Sequence, residues 1–385
     1  MISKKQVVRV IKKTVSILSR LIPKNDKKII FKSRPDLSGN AKALSDFIIS
    51  NHPNYKVIWI VEDDGKFNNI SFDVIKTGTI KSLYHYFTSK YIVTTHNEMI
   101  GTKATSQIYI SLWHGMPLKK ICYLGEFDNV GMEDFSAHRI ATSEVMRSII
   151  SACFREKANN VYITGQPRND FLFQYQPLDF ISTIPNTTKK KIIYAPTFRQ
   201  NQKALKYSDG TPIVNNNFLR VIDFDIKLLD IFLETNNAEL FIKLHPFEEE
   251  TFISVELTKN ITIIKTETLQ TRNLDINHLL SNMDILITDY SSLYFDYMLL
   301  NRPICFLIPD IDIYGDSRGG FTLEPVNFWM PGAQTNSQQS LQDELKKLLN
   351  GQDDYQDQRD RINNVINFHK DGNSSARVFQ QFFTL

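Results

Sequence analysis

Apolar positions along the chain fall into two alternating rhythms. From residue 28 onward, short runs rich in β-branched and aromatic residues recur at Lys28 to Lys32, Val57 to Val61, Tyr91 to Thr95 and Ile108 to Trp113. Between them, Ala41 to Ser50 and Ile80 to Thr88 carry the three-to-four-residue spacing of helices. Ser143 to Phe154 reads as a further helix and Val161 to Thr164 as a strand closed by Gly165. Strands alternating with helices predict a parallel sheet covered on both faces.

The segment from Asp170 to Lys190 is polar, contains Pro177 and Pro185, and reads as a link between domains. The alternation then restarts. Strands are predicted at Lys191 to Tyr194, Leu240 to Leu244, Ile261 to Ile264, Ile285 to Thr288 and Ile304 to Ile308. Helices are predicted at Asp225 to Glu234, Ser292 to Leu300, Leu341 to Leu349, Tyr355 to Phe368 and Ser375 to Phe383. The long polar loop from Gln200 to Asn217 has the length of a lid. The pattern predicts two α/β domains, at 28–175 and 190–385, with a cleft between them.

A different pattern precedes residue 28. Val8, Ile11, Val15, Leu18 and Ile22 step by one helical turn, and Arg9, Lys12, Lys13, Ser16 and Arg20 fall largely on the other side. This arm, 1–27, ends soon after Pro23. It holds most of the nine basic residues found in the first 28 positions, against the single acid Asp26. Two readings are open: a helix lying on an anionic membrane surface, or one docked on the protein with its basic face in water.

The asymmetry changes what the composition means. The chain has 385 residues, 45 basic and 42 acidic, for a formal charge of +3. Without its first 28 residues it keeps 36 basic and 41 acidic side chains, a mildly acidic body and no nucleic-acid footprint. No apolar run reaches the roughly 18 residues of a membrane-spanning helix. Cys122, Cys153 and Cys305 are too few and too scattered for a disulfide framework or a thiolate zinc site.

Ligands of open α/β sheets bind beyond the carboxyl ends of strands, and four such ends carry reactive side chains. They are Trp113-His114-Gly115-Met116-Pro117, Lys243-Leu244-His245-Pro246, Asp289-Tyr290-Ser291-Ser292, and Tyr194-Ala195-Pro196-Thr197-Phe198-Arg199. Arg168 is a further cation at a strand exit. Taken alone, each histidine is more often a structural hydrogen-bonding residue, and the Asp289–Ser292 turn reads equally as a helix cap. Taken together, the set suits binding a pyrophosphate and displacing one of its ends. Neither G-x-x-x-x-G-K-[ST] nor G-x-G-x-x-G occurs, which argues against a P-loop NTPase and a dinucleotide dehydrogenase.

In combination these elements resemble the CDP-glycerol glycerophosphotransferase family, the teichoic acid primases and polymerases. Trp113 to Lys120 resembles its W-H-G-T-P-L-K-K, Gly165 to Asp170 its G-x-P-R-N-D, and Tyr194 to Arg199 its Y-A-P-T-[WF]-R. Leu244-His245-Pro246, Ile287 to Ser292 with Asp296 and Arg302-Pro303, and Asp371 to Ser375 with Arg377 are similar to the later elements. Met116 stands in place of the usual threonine, and Phe198 in place of a common tryptophan.

The resemblance implies a GT-B-like fold of two Rossmann-type domains and transfer of glycerol phosphate from CDP-glycerol, with ribitol as the alternative polyol. It implies His114 and His245 as catalytic residues. Donor contacts would come from Trp113, Gly115, Met116, Pro117, Arg168, Thr197, Arg199, Lys243, Leu244, Ser291, Ser292 and Asp296. His114 would act as general base; His245, both serines and the start of the Ser292–Leu300 helix would stabilise charge on the phosphates. No tightly bound metal is expected; a loosely held Mg²⁺ on the donor diphosphate is compatible with this set. The expected partners are CDP-glycerol, a lipid-linked acceptor and, through residues 1–24, the cytoplasmic face of an anionic membrane. A nucleotide-sugar glycosyltransferase and a non-catalytic nucleotide-binding membrane protein are the competing readings.

Overall fold

A computed structural model of the chain describes residues 12, 14–17, 19–67, 72–125, 132–174, 176–177, 188–199, 211–246, 248–249, 258–311, 313–314 and 319–384. The chain divides into two compact units: Met1–Met116 with Gly131–Asp170 and Asp371–Leu385, and Pro117–Val130 with Phe171–Lys370.

The first unit is built on strands β1 (Asn25–Lys32), β2 (Lys56–Val61), β3 (Asp73–Lys76), β4 (Ser89–Thr94), β5 (Ile108–Ser111), β6 (His138–Ala141) and β7 (Val161–Ile163). They form one sheet in the order β3-β2-β1-β4-β5-β6-β7, with every pairing parallel. A parallel sheet is covered on both faces, so its central strands are apolar throughout; Ile29, Ile30 and Phe31 of β1 are wholly buried. Helices α1 (Gly39–Asn51), α2 (Ile80–Thr88) and α3 (Glu144–Phe154) belong to this unit. So does the last helix, Ser374–Phe383, whose Val378, Phe379, Phe382 and Phe383 join the core cluster of Leu44, Ile48, Tyr55 and Trp59. The expected second domain, 190–385, therefore loses residues 371–385 to the first unit, because that helix buries its aromatic face there.

The second unit repeats the plan with β8 (Lys190–Tyr194), β9 (Ala238–Ile242), β10 (Ile261–Ile263), β11 (Ile285–Thr288), β12 (Ile304–Leu307) and β13 (Ala333–Thr335). Its order is β10-β9-β8-β11-β12-β13, again all parallel. Helices α4 (Ile226–Thr235), α5 (Thr266–Gln270), α6 (Ile276–Leu280), α7 (Leu293–Tyr297), α8 (Gln338–Leu349) and α9 (Gln356–Ile366) complete it. Leu229 and Leu233 of α4 meet Leu341, Leu345 and Leu348 of α8 in its core cluster. Both units thus follow the doubly wound Rossmann-type order, with the switch point between β1 and β4 in one and between β8 and β11 in the other. This is the α/β class that the alternating pattern predicts.

Three strands escape the periodic reading. β3 (DVIK), β6 (HRIA) and β13 (AQT) have three or four residues and mix charged or amide side chains with apolar ones. Conversely, β5 ends at Ser111, two residues short of Trp113, because Trp113 takes a left-handed φ of 53°.

In the arm, Lys12, Thr14 to Ile17, Ser19 and Arg20 are helical. Lys12 Nζ lies 3.2 Å from Glu133, Ser16 Oγ donates to the Lys103 carbonyl at 2.7 Å, and the buried Ser19 hydroxyl lies 3.3 Å from Gln107 Oε1. The side expected in water is thus partly docked on the first unit, where polar partners meet it. Ile17 and Leu21 are exposed instead. Lys4, Lys5, Val8, Arg9, Ile11, Lys13 and Leu18 lie outside the described residues, as do 200–210 of the expected lid and 178–187 of the expected link. No helix of the described residues is long and apolar enough to cross a membrane.

Candidate active site

The candidate residues fall into two sets, one in each unit. In the first unit they gather where β5 gives way to a turn. Asn40, wholly buried in the first turn of α1, donates from Nδ2 to the carbonyls of Leu112 at 3.2 Å and Trp113 at 2.9 Å. Its Oδ1 accepts the Arg168 N–H at 3.1 Å, and Arg168 Nη1 donates to the His114 carbonyl at 2.6 Å. Two neighbouring segments therefore pin the turn, which has left-handed backbone at Trp113 and a φ of 150° at Gly115. The His114 side is exposed, whereas Met116 is buried. Met116 and Pro117 anchor the segment by burial instead of offering polar atoms to a phosphate, and the loss of threonine at 116 has that packing role as its physical context.

His114 is not isolated. The His96 ring stacks on it with centroids 4.4 Å apart and planes 17° from parallel, and the Trp113 ring lies 4.3 Å away. His96 follows β4 at the switch point of the sheet. Burial, and after it the charge of Arg34, push its pKa down to about 4.

In the second unit the switch point is a buried charge network. The Thr197 N–H donates to Asp289 Oδ1 at 2.9 Å and the Thr197 hydroxyl to Asp289 Oδ2 at 2.9 Å. Arg199 reaches Asp289 at 2.8 Å and Asp310 at 2.8 Å, and its Nη1 donates to the Thr197 carbonyl at 2.9 Å. Tyr290 donates to Asp310 at 3.2 Å, and the guanidinium lies over the Tyr314 ring. Burial opposes the Arg199 charge, yet Asp289 and Asp310 outweigh it and hold its pKa above the ordinary value. Arg199 is 1 % exposed, a buried cation that sets the Thr197 turn. The Thr197 hydroxyl proton is likewise committed to Asp289.

The remaining expected donor contacts separate by exposure. Lys243 is buried, with Nζ 2.6 Å from Glu249 and 2.9 Å from Thr266 Oγ1. Leu244 and Asp296 are buried too, so Asp296 does not face solvent. His245, Ser291 and Ser292 are half-buried, and the Phe198 ring lies 4.5 Å from that of His245. Burial, then Lys243 and Lys119, push His245 down to about 4, so at neutral pH it offers a neutral N–H. An arriving diphosphate would draw the value back up. The expected helix Ser292–Leu300 is five residues of α7 followed by a 3₁₀ turn, Met298–Leu300. Ser292 makes no capping hydrogen bond and Ser291 Oγ accepts from Leu293 N only at 3.4 Å, so neither a strong cap nor a long helix dipole stands behind these serines.

A family model described as CDP-glycerol:poly(glycerophosphate) glycerophosphotransferase matches residues 14–384. The chain belongs to this family. Relatives include the teichoic acid poly(glycerol phosphate) polymerase of Bacillus spizizenii, 27% identical across 94% of this chain and 93% of its own length. The teichoic acid glycerol-phosphate transferase of Staphylococcus aureus is 26% identical across 99% and 98%. Of the Bacillus subtilis polymerase the match spans 42%. The wall teichoic acid polymerase TagF shares the fold, with a TM-score of 0.76 at 22% identity over 98% of this chain and 96% of that one.

Several residues of this family member were not singled out by the strand-end reading. His96, Asn40 and Glu98 in the first unit, and Asp310 and Glu248 in the second, organise the turns that carry the quoted motifs. Asp310 stands just past β12, a carboxylate after an apolar run, which is the one signal that would have found it. Among the described residues no cluster of three His, Cys, Asp or Glu side chains has metal-holding geometry.

Proposed function

We propose that this protein transfers glycerol phosphate from CDP-glycerol to a hydroxyl of a lipid-linked glycan or polyol-phosphate acceptor, releasing CMP, in synthesis of a teichoic acid or a capsule-type polymer. The family match and the two relatives that align along nearly their whole length support this reading. The observation in this chain that carries it is the exposed His114, set on a strand-end turn whose carbonyl Arg168 clamps.

The acceptor oxygen attacks the phosphorus that bears glycerol. The bond from that phosphorus to the bridging oxygen breaks, and the oxygen leaves with CMP. His114 takes the acceptor proton as the new bond forms. His245 donates a hydrogen bond from its neutral ring, and the hydroxyls of Ser291 and Ser292 add donors to the phosphate oxygens, where charge stabilisation contributes most. The acceptor is held in the membrane, so the reaction takes place at the cytoplasmic surface, where CDP-glycerol is available.

The test is CMP release and product mass with purified protein, a lipid-linked disaccharide acceptor, and CDP-glycerol or CDP-ribitol. Turnover with CDP-glycerol is expected to fall ~10²–10⁴-fold in His114→Ala with donor affinity kept, the span of a lost general base. Near-normal CMP release by that variant removes His114 from the mechanism, and a preference for CDP-ribitol overturns the choice of polyol.

A further inference from the structure

The switch point of the first sheet holds a histidine that the proposed reaction leaves without a role. β4 ends at Thr94, and the chain after it places His96 face to face with His114, the rings 4.4 Å apart and 17° from parallel. The ring and the backbone that carries it are both held. Its Nδ1 lies 2.8 Å from Thr95 Oγ1, and the His96 N–H donates to Glu98 Oε2 at 2.9 Å. The Glu98 carbonyl accepts the Tyr109 hydroxyl at 2.6 Å, and Asn97 Oδ1 accepts from Ser111 Oγ at 2.8 Å and from Arg139 Nη1 at 3.0 Å. Such a loop has little freedom to turn its histidine away.

We propose that His96 is a positioning residue for His114, its ring face fixing the His114 imidazole in the proton-accepting orientation and stabilising the imidazolium that forms there. The proposal rests on the reading of His114 as the base. A cation over an aromatic face is attracted to it, whereas two stacked cations repel. The pair therefore works only with the charge on one ring.

The surroundings of His96 keep its own ring uncharged. The groups that face His96 are Arg34 after β1, Glu98 and Thr95 on its own loop, and His114 and Trp113 after β5. Arg34 Nε lies 3.4 Å from Glu98 Oε1, and Lys32 of β1 pairs with Glu62 at 2.7 Å. Burial and the Arg34 charge keep His96 neutral above about pH 5. The ring face that His96 turns to His114 is therefore uncharged at neutral pH. Trp113, tilted by 33° at 4.3 Å, gives the imidazolium a second aromatic neighbour.

The experiment follows CMP release from CDP-glycerol by the full-length protein between pH 5.5 and 9, comparing His96→Ala, His96→Phe and His114→Ala. In His96→Ala, kcat is expected to fall about tenfold, the size of one cation–π contact. KM for CDP-glycerol is expected to be little changed, and the acid limb of the pH profile to move to lower pH because the imidazolium loses support. His96→Phe, which keeps a ring face, is expected to restore both. Should His96→Ala not fold, His96→Asn carries the same expectation, since it offers Thr95 a polar δ atom without a ring. An unchanged kcat and acid limb in the ring-less variant, with His114→Ala inactive, overturns the proposal alone. A loss in His96→Phe equal to that in the ring-less variant overturns it too. Activity retained in His114→Ala instead overturns the reading of the base on which it rests.

Discussion

The carboxylate of Asp170 accepts the backbone N–H of Ser374 at 2.8 Å, across 204 positions of the chain. Its other oxygen accepts the N–H of Ser375, also at 2.8 Å. Asp170 thereby caps the last helix from outside it, satisfying two of the four amides that a helix start leaves without partners. Arg377 of the same helix donates to the Thr164 carbonyl at 2.8 Å, and a side chain at Gly165 would come within 2.6 Å of Ser374 Oγ. The G-x-P-R-N-D element and the closing D-G-N-S-S element are thus two halves of one structural lock. Replacing Asp170 by Ala leaves two buried amides unpaired and is expected to lower stability by about 2–3 kcal/mol. Urea denaturation monitored by circular dichroism measures it, and a loss below about 0.5 kcal/mol would make the lock dispensable.

Acid sensitivity follows from two histidines. His96 and His245 are both held near pKa 4, chiefly by burial, against about 6.5 in an unfolded chain. Between those values the unfolded chain binds more protons than the folded one, so stability rises with pH across that window and is lost as pH falls from 6.5 toward 4. After allowance for solvent, each withdraws roughly 2–3 kcal/mol once the pH has fallen below 4, and neither adds stability at pH 7, where the ring is nearly neutral in both states. Denaturation free energies at pH 4.5, 5.5 and 7 are expected to show a shallower pH slope in His96→Phe and in His245→Phe, by up to one proton each. A slope unaltered in both variants would place the acid sensitivity elsewhere.

Arg199 is the keystone of the second unit's switch point. Removing it leaves Asp289 and Asp310 buried without their cation, a situation that costs about 3–5 kcal/mol. Arg199→Ala is expected to lose that much, and Arg199→Lys to recover little, because a single ammonium cannot span Asp289, Asp310 and the Thr197 carbonyl as the guanidinium fork does. Thermal melting reads the stability. CDP-glycerol titration at low temperature is expected to show weakened affinity even in the fraction that folds, since the Thr197 turn loses its support. Affinity and melting both near wild type in Arg199→Lys would reduce the network to a simple charge pair.

The periodic pattern carried the fold because strand and helix spacing are local properties: Ile80 to Thr88 and Ile285 to Thr288 match the observed bounds residue for residue. Strand order is not local. That β4 lies beside β1, and β11 beside β8, is a tertiary fact, so the chain alone could not mark Thr95-His96 or Asp289 as flanking a switch point. The motifs mark His114 and His245 as strand-end residues, since a histidine after an apolar run is visible in the letters. The letters do not show that Thr197, Arg199, Lys243 and Asp296 are buried, nor that the first three are bonded to Asp289, Asp310 and Glu249. Buried ionic pairs leave no trace in composition, because Arg199 and its carboxylate partners lie 90 or more residues apart in the sequence.

The arm is docked on the first unit through Lys12, Ser16 and Ser19 as well as being basic. Deleting residues 1–24 would strip Ser16 and the buried Ser19 from the first unit as well as remove charge. Among the described residues four basic side chains are already engaged: Lys12 with Glu133, Lys24 with the carbonyls of Ser19 and Phe87, Lys27 with the Tyr55 hydroxyl, and Lys28 with Thr88. Substituting Lys4, Lys5, Arg9 and Arg20 by Ser spares those contacts. At ~1 kcal/mol per basic residue near an anionic leaflet, four substitutions amount to ~4 kcal/mol, about a thousandfold in partitioning. The full-length variant is therefore expected to leave anionic vesicles in co-sedimentation, as the unmodified protein does at high salt, where the charges are screened. Replacing the exposed Ile17 and Leu21 by Ser is expected to weaken binding further, because their apolar surface faces away from the first unit's docking contacts. Turnover of a short, water-soluble acceptor is expected to survive in both variants, since no proposed site residue lies in the arm. Co-sedimentation of the charge variant at the level of the unmodified protein would leave the arm with the docking role alone.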